Sequence, residues 1–209
     1  MPKSASKPTI AVDIDDVLSA TAEGFTEFSN QKWGTNLAPT DFTEHWAEMW
    51  QVDHNELMLR REAFFRSGLA KRYTHFEEAK PVLKKLAVDY KLVLVTSRSR
   101  EIQKDTFEWI SVYFKDLFSE VHFAGIYDDV RKNYQEKLNM TKGQILTRIE
   151  ADYLIDDHPK HCIAAVEAGI KAILFGDYNW NRDTKLLPNM VRAKNWQEVL
   201  EYFKNESAG

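Results

Sequence analysis

A chain of 209 residues is long enough for one sizeable core, or for a core that carries a smaller insertion. Its 28 Lys and Arg against 32 Asp and Glu give a net charge of −4, which argues against a nucleic-acid polymer as the main partner but leaves room for a small anion in a locally basic pocket. The single cysteine, Cys162, excludes an intrachain disulfide and a cysteine-cluster metal site and fits a cytoplasmic setting; no stretch is apolar over the length a bilayer demands, and the opening MPKSASKP lacks the apolar run of a secretory signal.

In chain order, TIAVDI (9–14) reads as a buried strand. Helical patterns follow in SATAEGFTEFSNQKW (19–33), DHNELMLRREAFFRS (53–67) and HFEEAKPVLKKLAVDY (75–90), the last with Pro81 allowing a kink or a later start. LVLVTS (92–97) is a second strand. The helix predicted over 100–118 places Ile102, Phe107, Ile110, Phe114 and Leu117 near one face. EVHFAG (120–125) is a weaker strand, TKGQILTRIEA (141–151) a helix and YLIDD (153–157) a strand. PKHCIAAVEAG (159–169) has Pro159 at a first helical position and Gly169 at a helix end. KAILF (171–175) is the last strand and NWQEVLEYFKN (195–205) the closing helix. The strands are short, continuous and not strictly alternating, as when helices cover both sheet faces. Strand alternating with helix predicts an α/β fold with a doubly wound parallel sheet.

One interval breaks the rhythm. Asp13 and Thr96 are 83 residues apart (96 − 13), whereas a crossover with its helix needs roughly 30. The surplus predicts a helical insertion over 18–74, set on the carboxyl end of the first strand, with the core formed by 8–17 and 75–205. Open α/β sheets place ligands at that edge, so the insertion is expected to act as a cap.

The same edge collects the chemistry. The first strand ends in Asp13, Asp15 and Asp16, the second in Thr96 and Ser97, and the third confident strand in Asp156 and Asp157. Lys142, 14 residues before Asp156, begins the helix leading into that strand and can reach the same edge. Crowded like charge raises carboxylate pKa values and calls for a counter-ion. A hard cation such as Mg²⁺ takes oxygen ligands, here Asp13 with one of Asp156 and Asp157, joined by a backbone carbonyl and water. Asp13 suits a nucleophile toward phosphorus, and Asp15 a group that protonates the leaving oxygen and then deprotonates water. Thr96 and Lys142 suit the phosphoryl oxygens. Ser97 either binds phosphate or caps the next helix. His158 reads as a helix-entry residue, and Arg98 and Arg100 as surface arginines or anion contacts.

DIDDVLSAT, VLVTSRS, a lysine and YLIDDHP resemble, in order and approximate spacing, the four motifs of the haloacid dehalogenase superfamily. The resemblance implies a Rossmann-like core, with Asp13 as nucleophile and Asp15 as general acid/base. It implies Thr96 (with Ser97) and Lys142 for phosphate, and Asp13, Asp15, Asp156 and Asp157 for Mg²⁺. In such sites Asp15 gives its backbone carbonyl, Asp157 binds directly and Asp156 acts through water. LIDDHP, TS and FFRSGLAKRYTHFEEAKPVLKKL are similar to segments of the 5'(3')-deoxyribonucleotidase branch, and ILFGDYNWNR to a segment of bacterial relatives. Two departures stand out: Asp16 replaces the Gly of many relatives, and the long interval from Lys142 to Asp156 leaves Lys132 and Lys137 as alternatives. By analogy with the nucleotidase cap, Phe64 and Phe65 or Trp46 and Trp50 are candidates to stack on a nucleobase, although most cap aromatics are expected to pack its core. GDYNWNR reads as a turn more readily than as a wall of the site.

The expected function is a Mg²⁺-dependent phosphohydrolase of a small phosphomonoester, with a nucleoside monophosphate as a candidate. Sugar phosphates are the alternative substrates. A non-catalytic binding or regulatory protein is the rival from another class, and it would be expected to have lost Asp13 or Asp15. A receiver domain fails on motif order, and a dehalogenase needs neither Asp15 nor the late acidic pair. The oligomeric state stays open, a homodimer included.

Overall fold

The computed structural model describes residues 7–124 and 140–206. Six parallel strands form one sheet: β1 (Thr9–Val12), β2 (Lys91–Thr96), β3 (Glu120–Phe123), β4 (Tyr153–Asp156), β5 (Lys171–Phe175) and β6 (Met190–Ala193). Their order is β3-β2-β1-β4-β5-β6, so the chain starts in the middle and winds outward in both directions. Asp13, Thr96 and Asp156 therefore stand on three neighbouring strands, although the chain separates them widely. The fold is α/β and doubly wound.

Burial explains the continuous apolar runs. Ile10, Val12, Leu92, Leu94, Ile155, Ile173 and Phe175 pack into one cluster, while Ala11, Val93, Val95, Leu154, Ala172 and Leu174 pack into another. Alternate residues of each strand thus enter opposite faces, and both faces are covered. The first cluster receives α4 (Ala79–Leu86), Trp109 of α5 (Gln103–Tyr113), and α8 (Trp196–Glu206). The second receives α6 (Lys142–Arg148) and α7 (Pro159–Glu167). Pro159 opens α7, and Gly169, at φ +83°, follows its end.

Between β1 and β2 lie α1 (Thr21–Trp33), α2 (Trp46–Trp50) and α3 (His54–Arg66). They build a third cluster around Phe25, whose ring contacts Phe42, Trp46, Trp50 and Phe64. Aromatic rings supply large buried area to a unit with few aliphatic residues.

β6 and α2 leave no clear mark in the sequence. β6 carries Arg192 within four residues of an edge strand, too short and too polar to register as a buried run. The five-residue α2 is shorter than a periodic pattern can reveal. The strand expected over 120–125 is observed as Glu120–Phe123, and the helix expected over 100–118 is a 3₁₀ turn, Arg100–Ile102, followed by α5.

Candidate active site

The site begins with the loop leaving β1. Asp13 donates its N–H to Ile155 O of β4 at 2.9 Å, and Ile14 O accepts from the Leu18 and Ser19 N–H groups. Asp16 has φ 53°, a left-handed conformation that favours glycine and that Asp tolerates. Its carboxylate accepts the Ala22 N–H at 3.1 Å, steadying the start of α1. Tyr178 Oη donates to Asp16 O at 2.7 Å and Trp196 Nε1 to Val17 O at 2.9 Å, so the loop is held from the β5 side as well.

Asp13, Asp156 and Asp157 each bring a carboxylate oxygen to within 4.8 Å of the others, and all three are buried. Lys142, 1% exposed, sets its ammonium 2.7 Å from Asp156 Oδ2 and 3.0 Å from Asp13 Oδ1. The capping box of α6, in which the Thr141 side chain accepts the Gln144 N–H and Gln144 Oε1 accepts the Thr141 N–H, fixes where that lysine leaves the helix. Lys132 and Lys137 lie outside the described residues.

Three carboxylates against one ammonium leave two uncompensated negative charges when all are ionised. Burial, opposed by Lys142, raises Asp13 to about 7. Burial followed by Asp156 raises Asp157, and burial raises Asp16 to about 8. Asp156 goes the other way: although burial opposes it, Lys142 and the His158 N–H on Oδ1 at 2.9 Å hold it low. A divalent cation fits this donor set. Asp13 Oδ1 is buried and, despite the nearby ammonium, lacks a partner in hydrogen-bond geometry, so it has a lone pair to give.

Asp15 occupies a different environment. Its carboxylate receives Arg98 Nε at 2.9 Å, Arg98 Nη2 at 2.7 Å and the Thr21 hydroxyl at 2.6 Å. Arg98 is buried, lies over the Tyr73 and Trp109 rings, and is therefore not the surface arginine expected. Thr96 is fully buried below the cleft, its hydroxyl oxygen accepting the Arg98 N–H at 3.1 Å. Ser97 lines the cleft, and its buried hydroxyl has no partner among the described residues. The capping role considered for Ser97 falls to Ser99, which accepts the Glu101 N–H. His158 is the N-cap of α7, accepting the Lys160 N–H.

Above these groups is a cleft of about 600 Å³, lined by Asp13, Asp15, Ser97, Arg98 and Asp157 at one end and by rings at the other. Phe64, Phe65 and Trp46 line it. Trp50 does not: it is 5% exposed, stacks on Phe25 at 5.4 Å, and donates its indole N–H to Ser29 Oγ at 3.1 Å. Its place is the core of the α1–α3 unit, not the pocket wall expected from the sequence. Trp180 lines the cleft and donates Nε1 to Asp157 Oδ2 at 2.7 Å, so GDYNWNR is both a turn and a wall of the site. Sequence reading underrated Arg98 and Trp180. The only signals were an arginine directly after TS and a tryptophan just beyond a strand end.

The 5' nucleotidase, deoxy (pyrimidine), cytosolic type C family model matches residues 7–205. A Bacillus subtilis protein named "Putative nucleotidase YqfW" is 22% identical over 207 residues, covering 94% of this chain and 93% of its own. A Staphylococcus epidermidis "Putative 5'(3')-deoxyribonucleotidase" is 26% identical over 206 residues, covering 96% and 98%. Among solved structures, the HAD-fold protein YfnB of Bacillus subtilis, bound to magnesium, matches with a TM-score of 0.63 at 11% identity, covering 94% of this chain and 98% of its own; that likeness is one of fold. The chain belongs to the 5' nucleotidase, deoxy (pyrimidine), cytosolic type C family, phosphatases built on the haloacid dehalogenase fold.

Proposed function

We propose that this phosphatase is a Mg²⁺-dependent 5'(3')-nucleotidase that works through an aspartyl phosphate on Asp13. The observation that carries the reading is the buried trio Asp13, Asp156 and Asp157, in which Lys142 bridges Asp13 and Asp156 while Asp13 and Asp157 line an aromatic cleft. Asp13, Asp157 and the Asp15 carbonyl would hold the cation, with Asp156, whose two oxygens already engage Lys142 and the His158 N–H, bound through water. When bound, Mg²⁺ offsets negative charge on the phosphoryl oxygens and on the crowded carboxylates.

The residues then divide the work. A carboxylate oxygen of Asp13 attacks phosphorus, forming the acyl–phosphate bond as the ester P–O bond breaks. Asp15, oriented by Arg98 and Thr21, gives the leaving oxygen its proton. It then takes a proton from the water that attacks the same phosphorus, releasing inorganic phosphate and restoring Asp13. The unpartnered Ser97 hydroxyl, which lines the cleft, donates to a phosphoryl oxygen, the buried Thr96 holds the loop by accepting the Arg98 N–H, and Lys142 offsets the phosphoryl charge.

The α1–α3 unit, taken as residues 18–74, acts as the cap. Trp46 and Phe65 offer faces for a flat leaving group, which favours a nucleoside over a sugar. The single buried cysteine agrees with a cytoplasmic setting. Rapid acid quench during turnover with Mg²⁺ and a deoxynucleoside monophosphate is expected to leave one phosphoryl group on the peptide containing Asp13. Asp13→Asn should carry none and turn over nothing while keeping its fold. An unmodified peptide under burst conditions, together with turnover by the variant, would overturn the mechanism.

A further inference from the structure

The turn after β5 reaches both acidic loops, and nothing in the chemistry above uses it. Trp180 Nε1 donates to Asp157 Oδ2 at 2.7 Å, and Asn181 Nδ2 donates to Asp157 O at 2.8 Å and to Phe175 O at 2.8 Å. Side chain and backbone of one acidic residue are thus gripped by two adjacent residues. The turn is itself held. Arg192 Nη1 donates to Asn181 Oδ1 at 3.0 Å and Nη2 to Asn181 O at 2.7 Å, tying it to β6. The Trp180 ring stacks on Tyr178 at 4.7 Å with 10° between planes, and Tyr178 Oη reaches Asp16 O in the other loop. The far side of Trp180 meets Phe42 of the α1–α3 unit edge-on at 6.2 Å.

We propose that Trp180 is a positioning residue for Mg²⁺: its indole N–H fixes the rotation of the Asp157 carboxylate and so prepares it as a ligand. The inference rests on the assignment of Asp157 as a metal ligand. An ionised carboxylate can turn about its χ2 torsion at little cost, and each unproductive orientation it samples weakens metal binding. One directed N–H bond removes that freedom while leaving Oδ1 and a further lone pair of Oδ2 for the cation. Hydrogen bonds to ligating carboxylates typically tune metal affinity 10- to 100-fold. Tyr178 and Asn181 serve the same end by fixing the plane and height of the indole.

The test measures Mg²⁺ binding to metal-free protein by calorimetry, without substrate, for wild type, Trp180→Phe and Asp157→Asn. A fourth protein carries the benzothiophene isostere of tryptophan at 180, which replaces only the N–H by sulfur. The expected result is about tenfold or greater weakening in Trp180→Phe and in the isostere. Should Trp180→Phe fail to fold, the isostere, equal in shape, decides alone. Wild-type affinity in the isostere overturns the positioning role and leaves the Asp157 assignment standing. Undiminished binding by Asp157→Asn, or no binding by wild type, overturns that assignment and this inference with it.

Discussion

Asp13 and Lys142 show how burial sets the behaviour of the site. Burial lifts Asp13 to about 7 and Asp16 to about 8, against 3.8 when unfolded. The folded chain therefore keeps protons that the unfolded chain releases. That stabilisation is fully present below pH 3.8 and is lost as pH rises through about 7 and 8. Asp157, raised by burial, adds to the same trend, while Asp156, held low, loses its contribution only in acid below the window. Metal-free protein should accordingly lose melting temperature between pH 5 and pH 8. In the proposed site Mg²⁺ would compete with those protons, so its stabilising shift should be larger at pH 8 than at pH 5. Equal shifts at both pH values, read by differential scanning calorimetry, would contradict this electrostatic picture. Lys142→Met removes the one cation in contact with Asp13 and Asp156 among the described residues. Breaking a buried pair in this way costs about 3–5 kcal/mol, and the loss in chemical denaturation should shrink in acid, where Asp13 takes a proton instead. A loss independent of pH would mean that Lys142 is chiefly packing.

The elements differ in how much of their role the sequence exposes. The central strands were legible because burial on both faces forces unbroken apolar runs, and DxD, TS and DD were legible because they fall at the ends of those runs. The turn over 176–182 was not, since what it touches depends on β6, an edge strand too short to read, and on Arg192 reaching back to Asn181. Trp46 and Trp50 show the same limit inside one short helix: four residues apart, one lines the cleft and the other fills a core. Arg98 is equally opaque, because its burial comes from rings that only the fold brings over it, Tyr73 and Trp109. Gly176 gives the turn a specific test. At φ +82°, with a Cβ that would overlap the Tyr178 ring, any side chain there strains the turn. Gly176→Ala should cost about 1–3 kcal/mol in urea unfolding through strain, beyond the ring it displaces. A neutral effect would show that the turn is not held as described.

For the molecule as a whole, the order β3-β2-β1-β4-β5-β6 turns a dispersed set of motifs into one site. β2, β1 and β4 are neighbours, so the loops bearing Thr96, Asp13 and Asp156 converge without any long-range adjustment. The α1–α3 unit enters after β1, at the edge where those loops converge, and roofs it with rings. It also meets the core away from Asp15, among other places through Phe42 against Trp180 and through the Glu44–Lys160 ion pair. Membership in the nucleotidase family and the buried acidic trio both support the chemistry proposed above.

Phosphate release from 5'- and 3'-deoxynucleotides, ribonucleotides, sugar phosphates and an aryl phosphate, with and without Mg²⁺, by wild type beside Asp13→Asn, tests the central claim most directly. The account predicts release that needs Mg²⁺, that is greatest with nucleotides, and that vanishes in the variant. Turnover by Asp13→Asn, or equal turnover after chelation of Mg²⁺, would contradict it.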